Sequence, residues 1–207
     1  MNAAEPPLPC CEPPAATIKR VTRPAEIAGI HALQSANLGR HLPPAERARE
    51  GFLTSEYTLE FLSGLHRHAP AVIAVADDAV VGYALVATTA VRELEPSLAS
   101  LYASIDAAVL DGTRIAARTY IVCAAVCVAK SHRGLGLVSR LYGRLRVDFA
   151  PRHDCVITDI ARDNARSLAA HRRAGFRVCS SACYGGQTWD LVCCDWARPI
   201  SAGSTAL

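Results

Sequence analysis

Two spacings of hydrophobic residues, one typical of strands and one typical of helices, alternate along the chain and predict its secondary-structure elements. Residues 17–23 have the short apolar spacing of a strand, and Pro24 begins a helix with Ile27, Ile30 and Leu33 on one face. The same two spacings predict the remaining elements: a short turn at 45–50, a helix at 58–66, a hairpin of strands 71–76 and 80–86 around Asp77-Asp78, a helix at 98–109 closed by Gly112, a strand at 120–129, a helix at 136–150, a strand at 155–160, a helix from Asp163 or Asn164 to Ala174-Gly175, and a hairpin of strands 176–179 and 187–194.

The order of these elements predicts the fold class. The strand at 120–129 is apolar on both faces, as expected for a strand buried between helices. If the helix at 136–150 is a crossover, the strand at 155–160 should run parallel to the strand at 120–129. We expect an α/β (α+β) fold with a mixed central sheet and helices on both faces. The insertion 91–116 should add a further helix that packs over this sheet.

Length and composition favour one domain. The chain has 207 residues, of which 51% are hydrophobic and 20% charged, so a substantial core can form. We expect a disordered Pro-rich segment at 1–16, the domain at 17–197 and a flexible tail at 198–207. No apolar run is long enough for a membrane span, and the first residues lack the basic and apolar regions of a secretory signal. The sequence predicts a cytoplasmic protein with no membrane partner.

Charge and cysteine content exclude further classes. The net charge of +3 is mild and no dense Lys/Arg block occurs, which argues against a nucleic-acid partner. Nine cysteines without a signal peptide favour free, buried thiols over a disulfide framework. The chain has no clustered CxxC or HxxxH pair, so we predict no metal site.

The stretch after the strand at 120–129 has the pattern of an anion-binding turn. Arg133, Gly134 and Gly136 precede an amphipathic helix, whose first amides and positive dipole end favour phosphate oxygens. Glycine lets the backbone approach such a ligand closely. The nucleotide-binding pattern GxxxxGK[ST] is absent, and the dinucleotide pattern GxGxxG lacks its third glycine.

Two segments together resemble the GNAT (GCN5-related) N-acetyltransferase superfamily. Residues 133–138 match its pyrophosphate loop [QR]-x-x-G-x-[GA], except that Val138 replaces the final Gly or Ala. Residues 164–176 match N-x-x-[AS]-x-x-x-Y-x-x-x-G-F, with His171 in place of the tyrosine. Both segments occur in the expected order, separated by a helix and a strand. The resemblance implies the GNAT fold, in which two parallel strands splay apart.

The resemblance also implies acetyl-CoA as co-substrate, with its pantetheine arm between the splayed strands. Arg140 or Arg144 could meet a ribose phosphate, although the sequence favours a solvated helix face for both arginines. The residues that the resemblance assigns to the cofactor are Cys127, Val128, Arg133, Gly134, Leu135, Gly136, Leu137, Val138, Ser139 and Asn164.

Proton transfer defines the candidate catalytic residues. An amine with a pKa of about 10.4 must lose a proton before it attacks, which costs roughly 4–5 kcal/mol at pH 7. Asp159, near the carboxyl end of its strand, is the candidate base, and Glu56 and Tyr57 are candidates for the acceptor pocket. His171 takes the place of the tyrosine that serves as general acid in the family. An imidazolium can donate that proton, but a purely structural histidine remains the alternative.

These inferences predict an acetyl-CoA-dependent N-acetyltransferase that acts on a primary amine by direct attack in a ternary complex. The insertion 91–116 could close off a small pocket, which favours a small-molecule acceptor over a protein. One alternative is a non-catalytic, regulatory acyl-CoA-binding module. Another is a toxin that acetylates charged tRNA, which would need a more basic face. A homodimer is possible.

Overall fold

Nine strands and six α-helices alternate along residues 14–92 and 98–197, which are the part of the chain that the computed structural model describes. The strands are β1 (Thr17–Arg20), β2 (Val72–Ala76), β3 (Ala79–Ala87), β4 (Val109–Leu110), β5 (Thr113–Arg114), β6 (Tyr120–Val128), β7 (Cys155–Ala161), β8 (Arg177–Tyr184) and β9 (Gln187–Asp195). The helices are α1 (Pro24–Ser35), α2 (Pro44–Glu50), α3 (Leu59–His68), α4 (Ala99–Ala107), α5 (Leu137–Phe149) and α6 (Ala165–Arg173).

Seven strands form one mixed sheet in the order β1-β2-β3-β6-β7-β9-β8. The β6–β7 pair is parallel, whereas β1–β2, β2–β3, β3–β6, β7–β9 and β8–β9 are antiparallel. Helix α5 connects β6 to β7, as a crossover between parallel strands requires. The mixed sheet expected from the sequence is therefore confirmed.

Helices cover both faces of this sheet. Helices α1, α3 and α4 contribute to a core on one face, where Ile30, Leu65 and Ile105 are almost completely buried. Helix α5 packs on the other face through Leu141 and Leu145, which have no exposed surface. Because β6 and β7 are covered on both sides, their continuous apolar sequence is explained.

The helix predicted at 98–109 ends earlier than expected. Helix α4 stops at Ala107, and β4 and β5 then form a small hairpin around Asp111 and Gly112, with φ of +50° and +80°. Gly112 therefore belongs to a hairpin turn and does not close the helix. Two positive φ angles are typical of the tight turn that joins twisted strands, which an Asp-Gly pair adopts readily. The Asp77-Asp78 turn of the β2–β3 hairpin is confirmed, with φ of +47° and +59°.

The terminal hairpin is longer than the sequence predicted. Strand β8 continues to Tyr184, and Gly185-Gly186 form the turn to β9. The extension ends at Tyr184 on the edge strand β8, and the Tyr184 hydroxyl contacts Asp159 on β7 although β9 lies between the two strands. Of the segment expected to be disordered, 1–16, residues 1–13 lie outside the described residues, whereas Ala16 is buried and its carbonyl accepts from Arg140. The expected tail at 198–207 lies outside the described residues. Within the described ranges, no helix has the length and apolar character of a membrane span.

Candidate active site

The parallel strands β6 and β7 separate after a short paired stretch. Their pairing runs only from Tyr120–Cys155 to Val122–Ile157, although both strands continue further. On its other side β6 remains paired with β3, with a register shift that leaves Ala124 as an extra residue. Such a bulge bends a strand and breaks its ladder locally. The separation opens a cleft between β6 and β7 in the centre of the sheet.

A glycine-containing turn lies at the end of β6. Gly134 and Gly136 have φ of +83° and +70°, which favour glycine, and a Cβ at either position would meet nothing within 4 Å. The first helical bond of α5 runs from the Arg140 amide to the Gly136 carbonyl at 3.1 Å. The amides at the start of α5 precede that bond, so they have no acceptor within the helix. Together with the helix dipole, these groups create a site suited to an anion.

A groove with a volume of about 340 Å³ connects this turn to the cleft. Helix α6 and the segment after α2 form its remaining walls. Leu135 does not line the groove and is 50% exposed. The other nine residues that the sequence assigned to the cofactor all line it: Cys127, Val128, Arg133, Gly134, Gly136, Leu137, Val138, Ser139 and Asn164.

The Arg133 side chain fixes one wall of the groove. Its guanidinium donates to Oδ1 of Asn37 at 2.6 Å and to Glu50 at 2.9 Å, and its Nε donates to the Val128 carbonyl at 3.2 Å. These contacts join the end of α2 to the glycine turn. The Arg133 side chain therefore holds this wall of the groove together.

A second cavity, with a volume of about 120 Å³, adjoins the groove on the other side of the cleft. Tyr57 and Asp159 line it, as the sequence predicted. Glu56 does not line it, because the exposed Glu56 carboxylate is paired with Arg40. Both cavities share the residues Phe52, Leu53, Val126, Asn164, Ser167 and His171.

Asp159 lies on β7 inside this second cavity. Burial raises the pKa of its carboxyl, and the hydrogen bond donated by the Tyr184 hydroxyl partly opposes that shift. The Tyr184 ring stacks on Trp189 at a centroid distance of 5.3 Å and an interplanar angle of 5°. Tyr184 and Trp189 both line the cavity, and the sequence analysis did not identify them. The sequence feature that could have identified them is Gly185-Gly186, because a Gly-Gly turn there indicates a hairpin whose strands extend to Tyr184 and Gln187.

His171 is buried where the two cavities meet. Its Nδ1 lies 2.8 Å from the Ser167 carbonyl and must donate to it, so Nε2 accepts from the Tyr142 hydroxyl, also at 2.8 Å. Burial lowers the pKa of His171 to about 4. The imidazole is therefore neutral at pH 7, and the imidazolium considered from the sequence does not fit this environment. Tyr142 is buried in the core.

Asn164 joins three segments at the junction. Its Oδ1 accepts from the Ser167 amide at 3.2 Å and caps α6, while its Nδ2 donates to the Phe52 carbonyl at 2.8 Å. A Cβ at Gly51, which has φ of +73°, would lie 3.0 Å from that Oδ1. The Asn164 side chain thus binds the segment after α2 against α6.

The arginines considered for a ribose phosphate point elsewhere. Arg140 donates to the Ala16 carbonyl at 2.7 Å, and Arg144 pairs with Asp148 at 3.0 Å. Neither lines the groove, whereas Arg166 and Arg173 of α6 do. Apart from Arg133, the arginines that line the groove among the described residues belong to α6 and not to α5.

The cysteines nearest the cleft are poor nucleophiles. Cys127 lines the groove and Cys123 lies next to the bulge, and burial raises the pKa of each thiol to about 12. Only the thiolate is an effective nucleophile, so both residues are chemically inert near neutral pH.

The family comparison agrees with this geometry. Residues 37–176 match the family described as the acetyltransferase (GNAT) family. The chain belongs to this family. It is a GNAT acetyltransferase, and therefore an acyltransferase, and the matched residues contain both the glycine turn and the junction of the two cavities. A search of the curated proteins found no match.

Known structures share the fold of this GNAT acetyltransferase. Ard1 from Thermoplasma volcanium has a TM-score of 0.59 and 16% identity, covering 86% of this chain and 96% of its own. The acetyltransferase yncA from Salmonella typhimurium, determined with its cofactor acetyl-CoA, has a TM-score of 0.55 and 18% identity, covering 91% and 98%. The ribosomal-protein-alanine N-acetyltransferase from Brucella melitensis has a TM-score of 0.55 and 21% identity, covering 86% and 99%.

Proposed function

We propose that this protein transfers the acetyl group of acetyl-CoA to the primary amine of a small molecule by direct attack in a ternary complex. The observation that carries the proposal is the junction of two cavities at the splayed strands. One cavity begins at an anion-binding turn, the other contains a carboxylate, and six residues line both. Two ligands bound in these cavities would meet at the cleft between β6 and β7.

The groove fits coenzyme A in shape and chemistry. The unpaired amides at the start of α5 suit a diphosphate, and glycine at 134 and 136 leaves room for its oxygens. Beyond Val122 the edge of β6 that faces β7 has no strand partner. Apart from the Ala124 and Val128 carbonyls, which accept from Tyr57 and Arg133, its backbone groups are available to the amide-containing arm of the ligand. The structure of yncA with acetyl-CoA supports this assignment by its similar fold. When bound, acetyl-CoA supplies a thioester carbonyl and a thiolate leaving group.

Asp159 is the proposed general base. The carboxylate lies in the second cavity, and burial raises its pKa, which makes it a stronger proton acceptor. Tyr184 occupies one carboxylate oxygen, Oδ2, which leaves Oδ1 for the ammonium group of an acceptor. Asp159 would take the proton that the amine must lose before it attacks.

Direct transfer is supported by the state of the thiols. A covalent acetyl-enzyme would need a cysteine with a low pKa near a base. Cys127 and Cys123 instead have pKa values raised to about 12. The neutral His171 shapes the junction and holds Tyr142, and we assign it a positioning role in place of proton delivery. A cytoplasmic location, the lack of nucleic-acid and metal partners, and a homodimer remain predictions from the sequence.

The proposal is tested by calorimetry with coenzyme A and by thiol release from acetyl-CoA in the presence of amines. We expect coenzyme A to bind and amines to accelerate thiol release above hydrolysis. Asp159→Asn should lower kcat/KM by roughly 10²–10⁴-fold while coenzyme A still binds. Failure to bind coenzyme A, or a burst of acetylated protein, would contradict the proposal.

A further inference from the structure

The second cavity contains one charged side chain among its described lining residues, the carboxylate of Asp159. Neither lysine nor arginine contributes to that lining. His171, the other titratable nitrogen base there, has its pKa lowered by burial to about 4 and is neutral. The cavity therefore presents a single negative charge to whatever enters it.

Apolar and aromatic side chains surround that charge. Leu98 and Leu101 reach the cavity from the insertion and are almost completely buried. Tyr184 and Trp189 form a stacked pair, and the Trp189 indole donates to the Tyr184 carbonyl at 3.2 Å, which fixes the two rings. Ring faces next to a carboxylate are suited to an ammonium group and to a flat apolar body.

The arginines around this cavity serve other surfaces: Arg166 and Arg173 line the groove, and Arg162 pairs with Asp190 at 2.7 Å. Arg40 and Arg47 line a separate cavity beside the segment 52–54, where Arg40 pairs with Glu56 and Arg47 lies over the Phe52 ring at 4.3 Å. An acceptor with its own carboxylate would thus bring a second negative charge close to Asp159, in a cavity whose described lining contains no arginine or lysine. Two like charges in a partly buried site repel each other, and the added one also loses its hydration.

We propose that the acceptor is a small monoamine with an apolar, aromatic body and no acid group, whose ammonium binds Asp159 and whose body packs against the Tyr184–Trp189 stack and the insertion's leucines. This inference rests on the proposed function and names its substrate class. It excludes free α-amino acids as efficient acceptors. The cavity volume of about 120 Å³ also favours a small molecule over the N-terminus of a folded protein.

The test compares two amines that differ by one carboxylate. The full-length protein is assayed with saturating acetyl-CoA and either 2-phenylethylamine or phenylalanine, with thiol release as the readout. We expect kcat/KM for 2-phenylethylamine to exceed that for phenylalanine by about 100-fold. An alanine-initiated tetrapeptide amide is the third acceptor and should also be poor. Equal or better use of phenylalanine or the peptide would overturn the inference.

A charge variant tests the electrostatic reason. Ser55 is exposed and lines the cavity, so Ser55→Arg adds a cation there without disturbing the core. We expect this variant to reduce the preference for 2-phenylethylamine over phenylalanine by about tenfold. Ser100→Arg adds the same charge on the exposed face of α4, away from the cavity lining, and should leave the preference unchanged. An unaltered preference in Ser55→Arg would contradict the inference.

The outcomes also separate this inference from the proposed function. If acetyl-CoA binds and some amine is acetylated, but phenylalanine or the peptide is preferred, the substrate class is wrong and the acetyl transfer stands. If coenzyme A binds calorimetrically and no amine in the panel accelerates thiol release, the proposed function fails, and the substrate class fails with it.

Discussion

The Tyr184 hydroxyl donates a hydrogen bond to Oδ2 of Asp159, joining the last hairpin to the strand that borders the cleft. The two residues are 25 positions apart, and both line the second cavity. A donor to the carboxylate stabilises its charged form, whereas burial destabilises it. Tyr184 is therefore a positioning residue that also adjusts the pH at which the proposed base is ionised.

Tyr184→Phe should shift the acid limb of the kcat/KM profile to higher pH. Removing the phenol leaves burial unopposed, so the pKa of Asp159 rises further and the base is protonated over a wider range. Two other titratable groups near Asp159 are Cys123 on β6, whose pKa burial raises to about 12, and His171 on α6, whose pKa burial lowers to about 4, so both are uncharged near neutral pH. The measurement is kcat/KM from pH 5 to 9.

Tyr57→Phe is the control for this prediction. Tyr57 lines the same cavity, but its hydroxyl donates to the Ala124 carbonyl at 3.3 Å. The control should keep the wild-type acid limb. An unchanged limb in Tyr184→Phe, or an equal shift in both variants, would show that the phenol does not act on the base.

Asp159→Asn should raise the thermal midpoint at pH 7 while it lowers activity. The pKa of Asp159 is raised in the folded protein, so the unfolded chain loses this proton first as pH rises. The stability of the folded state therefore falls as pH rises from the unfolded pKa of this carboxyl to its raised folded pKa. A neutral amide at this position avoids the loss. Thermal unfolding at pH 4 and pH 7 should show a larger gain at pH 7. A lower midpoint than wild type at pH 7 would contradict the prediction.

Burial of His171 makes stability sensitive to acid. Its pKa falls from 6.5 to about 4 in the folded protein, so below pH 6.5 the unfolded chain binds a proton that the folded one does not. This difference removes up to about 3 kcal/mol of stability between pH 6.5 and 4 and nothing above that range. His171→Phe should therefore show a flatter stability curve over this range, measured by urea unfolding.

Tyr142→Phe is the matched control for His171. The variant removes the hydroxyl that donates to Nε2 and keeps the buried imidazole. We expect Tyr142→Phe to retain the acid sensitivity of stability. His171→Phe leaves the Tyr142 hydroxyl without its acceptor, so its unfolding free energy should fall by about 1–3 kcal/mol at every pH. Identical pH slopes for wild type and His171→Phe would disprove the linkage. Activity of His171→Phe at neutral pH separately tests the positioning role.

Asn164 allows its two contacts to be separated. Asn164→Ser keeps an oxygen that can accept from the Ser167 amide, but it loses the donor to the Phe52 carbonyl. Asn164→Ala loses both contacts and should cost about 1 kcal/mol more in unfolding free energy. Both variants should bind coenzyme A more weakly, because the segment after α2 is released from α6. Wild-type affinity in both variants would show that this contact does not shape the groove.

Hydrophobic periodicity was sufficient to predict the sheet, because most of its strands are short apolar runs between clear turns. Its failures have local causes. The run after α4 is short and apolar, and such a run fits a helix or a strand until the Asp111-Gly112 turn decides between them. In β8 the register shift between Val178 and Ser180 breaks the alternation, so hydrophobic periodicity did not show the strand's continuation to Tyr184, and only the Gly185-Gly186 turn indicates it.

Parts of the site depend on tertiary contacts that no local pattern contains. The sequence indicates that β6 and β7 are parallel, but not that they stop pairing after Val122. It places a histidine at 171, but the charge of that histidine depends on burial and on the Ser167 and Tyr142 contacts. By contrast, the glycine turn was identifiable because positive φ angles restrict residue choice directly.

Gly136→Ala tests whether the glycine turn binds the diphosphate. Alanine at φ +70° costs about 1–2 kcal/mol of conformational energy. The new methyl group would also project into the open space in front of the turn, where a Cβ meets no protein atom within 4 Å. We expect affinity for coenzyme A to fall by roughly 10–100-fold, as the loss of one or two hydrogen bonds to a charged group predicts.

Gly112→Ala is the matched control for the glycine turn. Gly112 has φ of +80°, and a Cβ there also meets nothing within 4 Å, but it lies in the β4–β5 turn and does not line the groove. Both variants should lose similar stability in urea unfolding, and only Gly136→Ala should lose affinity for coenzyme A in calorimetry. Because the conformational cost is matched, equal affinities in the two variants would place the diphosphate away from the amides at the start of α5.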